Sequence, residues 1–85
     1  MEVVFTKQAL KDFERIKEHK LLYHKVISLL NLIERNPFEK PPSYEKLIGI
    51  ANTYSRRINL QHRLIYQIYE QEQVIKIIRM WTHYE

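Results

Sequence analysis

The hydrophobic positions of the chain change period along its length. Met1 to Phe5 is a β-branched and aromatic run that reads as a short strand. Thr6 stands where a helix N-cap belongs. Beyond it Ala9, Leu10, Phe13 and Ile16 recur at three- and four-residue spacing, with Lys11, Asp12, Glu14 and Arg15 between them. That spacing predicts an amphipathic helix ending near His19. Leu22, Val26, Leu29, Leu30 and Ile33 form the apolar stripe of a second helix. Asn36-Pro37 stops it, because a residue before proline is pushed out of the helical region. Two successive helices with a short joint predict an antiparallel helical hairpin.

All three prolines fall between Asn36 and Tyr44, which reads as a surface loop. Glu45 to Ile50 reads as a short strand or as an extended approach to one. The last third is rich in Ile, Tyr, Val and Leu over Tyr54 to Asn59, Arg63 to Tyr69 and Val74 to Trp81, with joints of hairpin length between them. The order is a strand, two helices, then three or four meandering strands. It predicts an α+β fold: an N-terminal strand, a two-helix hairpin, and a mostly antiparallel meander sheet packed on the helices in two layers.

Strand parity adds orientation. Leu64, Tyr66 and Ile68 share one face, and Arg63, Ile65, Gln67 and Tyr69 the other. The first set is apolar and should meet the helices, which leaves Arg63 on the open face. In the last run His83 shares parity with Ile77, Arg79 and Trp81, whereas Tyr84 shares it with Met80 and Thr82. A regular strand would separate His83 from Tyr84. If both serve one site, the chain must bend or leave the sheet there.

Composition narrows the function. The 85 residues make one domain, 1–85. There is no Cys, which excludes disulfides, thiolate nucleophiles and Cys-based zinc sites. The N-terminus does not read as a signal peptide, and no apolar run approaches the roughly 20 residues that cross a bilayer. The chain is therefore read as soluble and cytoplasmic. Its formal net charge of +4 suits an anionic partner such as RNA, DNA or an acidic protein, without selecting among them. The single Gly leaves no phosphate-cradling loop. The four His (His19, His24, His62 and His83) show no metal-ligand spacing, and no Ser lies in a nucleophile elbow.

What remains is a polar set on the β half: Glu45, Arg56, Arg57, His62, Arg63, His83 and Tyr84. RNA cleavage by internal transesterification needs a group that takes the proton from the 2′-hydroxyl and one that protonates the 5′-oxygen. It also needs cations at the phosphorus oxygens, a task that suits the planar fork of arginine. No metal or cofactor is required. Arg56 and Arg57 alternate across their strand, so at most one should face such a site and the other should be structural. His62 reads as a turn residue, and Tyr66 as core.

Tyr54-Ser55-Arg56-Arg57-Ile58-Asn59, followed by His62-Arg63-Leu64-Ile65-Tyr66, resembles the "SRRI … HRLVY" core of the YoeB/Txe toxins of the RelE/ParE superfamily. His83-Tyr84 resembles that family's "HY" ending, Asn36-Pro37-Phe38-Glu39 its "TPFE" loop, and Glu45-Lys46-Leu47 its "EPL" segment. The resemblance runs over essentially the whole chain and implies a RelE-like fold. It implies a ribosome-dependent ribonuclease that cuts mRNA in the A site, and a cognate antitoxin that covers or remodels the site. Whether the chain forms a homodimer stays open. By the same resemblance Glu45 is the general base, His83 the general acid, Arg63 the holder of the scissile phosphate and Tyr84 a substrate-positioning residue. Arg56 and Arg57 are the sheet arginines that contact RNA or shape the site. Where the family has a proline after the glutamate and a lysine after the leucine, this chain has Lys46 and Ile48, so Lys46 is carried as a candidate phosphate contact. Two rivals stand beside this reading. One is a ParE-like gyrase poison of the same fold, and the other is a basic module that binds nucleic acid without cutting it.

Overall fold

The computed structural model describes residues 1–81. Its elements are β1 (Glu2–Phe5), α1 (Lys7–Ile16), α2 (Lys20–Arg35), β2 (Tyr44–Lys46), β3 (Thr53–Arg57), β4 (Arg63–Tyr69) and β5 (Val74–Arg79). Thr6 caps α1 as its sequence position predicts: its hydroxyl oxygen accepts from the Ala9 amide at 3.0 Å. The same hydroxyl donates to the Ile78 carbonyl at 3.1 Å, so the cap also ties α1 to β5. α1 stops at Ile16, short of the predicted His19, and Lys17 to His19 form the turn into α2. α2 ends with Asn36 as its C-cap, where Asn36-Pro37 places the stop. The Asn36 side-chain oxygen then accepts from the Phe38 amide at 3.1 Å and starts the proline loop. No helix among the described residues is long and apolar enough to cross a membrane.

The five strands form one sheet in the order β1-β5-β4-β3-β2. β1 pairs with β5 in parallel, and every other pair is antiparallel. The first strand thus lies beside the last, with the two helices in the connection that a parallel pair of this kind needs. The segment from Glu45 to Ile50 resolves into the short edge strand β2 followed by a turn through Asn52. The one glycine of the chain, Gly49, sits in that turn at φ +85°, a conformation open to glycine at little cost.

The parity read from β4 holds. Leu64, Tyr66 and Ile68 are buried in one cluster with Ala9 and Ile16 of α1, with Leu22, Val26, Leu29, Leu30 and Ile33 of α2, and with Ile75 and Ile77 of β5. The last strand is less regular than its sequence suggests. Ile65 pairs with Arg79 and Tyr66 with Ile77, which leaves Ile78 as an extra residue in a β-bulge. Alternation is reset there, and β5 ends at Arg79 rather than Trp81.

Candidate active site on the open face of the sheet

β4 carries Arg63 into the sheet on the face opposite the helices, and the cross-strand register decides what it meets. Glu45 pairs with Ser55, Ser55 with Ile65, and Arg57 with Arg63, so all of these share the open face. The Arg63 Nε donates to the Ser55 hydroxyl at 2.6 Å. With Nε held, Nη2 lies 3.7 Å from the Glu45 carboxylate. That separation is an ion pair rather than a hydrogen bond. The Glu45 side chain is 73% exposed against 22% for Arg63, so the pair adds little to stability. It leaves a carboxylate open to solvent beside a guanidinium whose direction is fixed. Arg57 is exposed and lies directly across from Arg63. Like charges opposed across two strands are unfavourable, and an anion between them relieves the repulsion. This end of the open face therefore gathers two arginines and a solvent-open carboxylate, a set whose cations can take an anion.

Ser55 went without a role in the sequence reading. It is 2% exposed, and its hydroxyl accepts from Arg63 and helps to orient it. Ile65 is also buried, although it lies on the open face outside the helix-packed cluster.

Arg56 takes the structural role of the two that alternation left open for the arginine pair. It is fully buried on the helix side of β3, so its placement among the RNA contacts is corrected. Its Nε donates to the Tyr66 hydroxyl at 2.9 Å, and Nη2 donates to the carbonyls of Pro37 at 3.0 Å and Glu39 at 2.8 Å. Nη1 donates to the Pro42 carbonyl, and the Tyr44 ring lies 5.0 Å from the guanidinium carbon. One buried cation thus gathers the proline loop. Phe38, Tyr44, Tyr54 and Tyr66 pack ring against ring around it, which fixes β2 and with it the backbone of Glu45. Burial pushes the Tyr66 phenol above the usual tyrosine range, and the hydrogen bond and charge of Arg56 partly offset this.

Lys46 stands apart from this cluster. It pairs with Tyr54, one position out of step with Glu45, so its side chain leaves the opposite face of β2. The exposed lysine is not brought to the Arg63 pair. His83 and Tyr84 lie outside the described residues. Among the described residues no group of three or more His, Asp or Glu is arranged to hold a metal ion.

His62 is the turn residue it was expected to be. Its amide donates to the Asn59 side-chain oxygen at 2.7 Å, and its carbonyl accepts from the Ile58 amide at 2.9 Å. Its ring does more: it is buried, with its centroid 4.2 Å from that of Trp81. The Arg15 guanidinium stands 4.5 Å over the same indole, and the His19 ring is 5.3 Å from it.

The family profile described as "YoeB-like toxin of bacterial type II toxin-antitoxin system" matches residues 5–84. A protein named Toxin YoeB from Synechocystis is 31% identical over 87 residues, covering 100% of this chain and 99% of that protein. A solved structure described as a YoeB/ParE toxin from Agrobacterium tumefaciens superposes with a TM-score of 0.90 at 29% identity, over 99% of this chain and 100% of its own. A YoeB-YefM complex from Staphylococcus aureus contains a chain that superposes at 0.83 with 34% identity, over 99% of this chain and 98% of its own. The chain belongs to the YoeB-like toxin family of bacterial type II toxin–antitoxin systems.

Proposed function

We propose that the chain is an endoribonuclease that cuts mRNA in the ribosomal A site and so stops translation. The observation that carries this is the Glu45–Arg63 pair on the open face, with Arg57 across from it. Glu45 takes the proton from the 2′-hydroxyl of the nucleotide before the cut. The freed 2′-oxygen attacks the phosphorus, and the bond to the 5′-oxygen breaks. Arg63, and Arg57 beside it, hold the phosphorus oxygens while negative charge builds on them. His83 protonates the departing 5′-oxygen and Tyr84 helps position the substrate, as the resemblance implies. The products are a 2′,3′-cyclic phosphate and a 5′-hydroxyl. Every step is a proton transfer or an electrostatic contact made by side chains, so no cofactor enters the scheme. The chain acts in the cytoplasm, where ribosomes are. The relative from Staphylococcus aureus is seen in complex with YefM, which supports a cognate antitoxin for this chain; by the family resemblance that antitoxin covers or remodels this face.

Primer extension on a reporter mRNA translated in a purified system tests the reading, with ribosomes left out of the control. Cuts at A-site codons only when ribosomes are present are the expected result. The Agrobacterium relative is described as a YoeB/ParE toxin, so a gyrase-directed activity is the reading to separate. A gyrase poison stays toxic when Glu45 and Arg63 are replaced by Ala, whereas a ribonuclease falls silent. An absence of cuts with folded, antitoxin-free protein would count for the gyrase poison or for a binding module.

A further inference from the structure

Asp12 has no part in the cleavage steps above, yet it is the most elaborately bonded acid among the described residues. It is 1% exposed and sits on the face of α1 that otherwise buries Ala9 and Ile16. Three successive residues at the end of β5 converge on its Oδ2: the Arg79 Nε donates at 2.9 Å, the Met80 amide at 2.9 Å and the Trp81 amide at 3.2 Å. Its Oδ1 accepts from the Gln8 side chain at 3.0 Å. A buried carboxylate is tolerated only when donors of this kind replace its water. Here they come from residues up to 69 positions away in the chain.

The position of these contacts is what gives them meaning. β5 ends at Arg79, one residue past the bulge, and Asp12 takes up the next two backbone amides, those of Met80 and Trp81. The Trp81 indole packs against His62, the neighbour of Arg63, and is covered by Arg15, one turn along α1 from Asp12. The backbone is thus fixed by a carboxylate, and the side chain by two rings and a guanidinium. The residues that follow carry His83 and Tyr84.

We propose that Asp12 is a positioning residue for RNA cleavage: by holding the Met80 and Trp81 amides and Arg79 it fixes, relative to Arg63, the end of β5 from which the sequence runs on to His83. The proposal rests on the ribonuclease reading. It makes Asp12 more than a stabilising contact, because its loss acts on the chemical step rather than on ribosome binding.

The test uses the full chain freed of antitoxin, as parent, Asp12→Asn, Asp12→Ala and Arg79→Ala. Asp12→Asn keeps the volume and loses the charge, and Arg79→Ala leaves the carboxylate with its two backbone donors, so the pair decides the matter if Asp12→Ala fails to fold. Three quantities are measured below the melting temperature of each variant. These are the single-turnover cleavage rate at saturating ribosomes, the ribosome concentration giving half the maximal rate, and the emission of Trp81, the only tryptophan of the chain. Asp12→Asn is expected to cut on the order of 10- to 100-fold more slowly, as a misplacement of about 1 Å does. Its half-saturating ribosome concentration should be unchanged and its Trp81 emission shifted to the red. Arg79→Ala should show a smaller loss in the same direction. A folded Asp12→Asn that cuts at the parent rate, or one that loses rate with Trp81 emission unchanged, overturns the proposal. A parent that does not cut defeats the ribonuclease reading instead. The anchoring of Trp81 is then judged by emission alone, and an unshifted Asp12→Asn overturns it as well.

Discussion

Arg56 and Arg63 stand on neighbouring strands, one on the helix face of the sheet and one on the open face, and the two do opposite things. Arg56 spends its donors on the carbonyls of Pro37, Glu39 and Pro42 and on the Tyr66 hydroxyl, with no carboxylate in its shell. Fixed dipoles and the Tyr44 ring replace its water, and the result is a rigid joint between sheet and loop. Arg63 donates to the Ser55 hydroxyl and looks toward an exposed carboxylate. Its Ser55 contact orients it, and the Glu45 carboxylate beside it is open to solvent. The lesson is that the same side chain becomes scaffold or tool according to its acceptors. Buried neutral acceptors make it scaffold, whereas an orienting hydroxyl beside a solvent-open acid suits it to meet an anion.

Variants can break or sharpen that contrast. The largest effect is expected for Arg56→Met, which strands three loop carbonyls and a tyrosine hydroxyl. It should lower stability by about 3–5 kcal/mol, read from the midpoint of urea denaturation, because removing one partner leaves buried polar groups unsatisfied. Glu45→Gln comes next: stability near that of the parent, and cleavage slower by roughly 10³-fold, as expected when a general base is removed. Arg63→Ala should slow cleavage on the order of 10²-fold with a small change in melting temperature. The smallest effect concerns pH. Burial raises the Asp12 pKa, but the hydrogen bonds from Met80, Arg79, Gln8 and Trp81 outweigh it and hold the carboxyl below the usual aspartate range. A depressed folded value means that the stability Asp12 supplies is fully present above the unfolded value, about pH 4, and is lost as pH falls through the folded one. Asp12→Asn should therefore flatten the acid limb of a stability–pH curve, measured by denaturation at a series of pH values, and leave the neutral slope unchanged.

How far the sequence could be read follows the same division. The β4 alternation of Leu64, Tyr66 and Ile68 against Arg63 and Gln67 was unambiguous, because one set is apolar and finds the core. The Thr6 cap and the Asn36-Pro37 stop were equally plain, because their partners lie within a few residues. Ser55-Arg56-Arg57 offered no such contrast. The carbonyls that bury Arg56 come from 14 to 19 residues earlier, and no local pattern announces them. Asp12 reads as one more polar residue between Lys11 and Glu14, because its donors are some 67 residues away. Lys46 beside Glu45 looked like a companion in sequence, but one step along a strand is a change of face. The bulge at Ile78 depends on pairing with β4, so parity counted from the sequence alone could not foresee it.

The central claim is that Glu45 and Arg63 work as one site on the open face. The most direct test is the single-turnover cleavage rate of ribosome-bound mRNA by the Glu45→Gln/Arg63→Ala double variant, set against each single variant. Residues that act as a unit lose their effect together, so the double variant should be no more than a few-fold slower than the worse single variant. Losses that multiply in full, or a double variant that cuts at the parent rate, would contradict it.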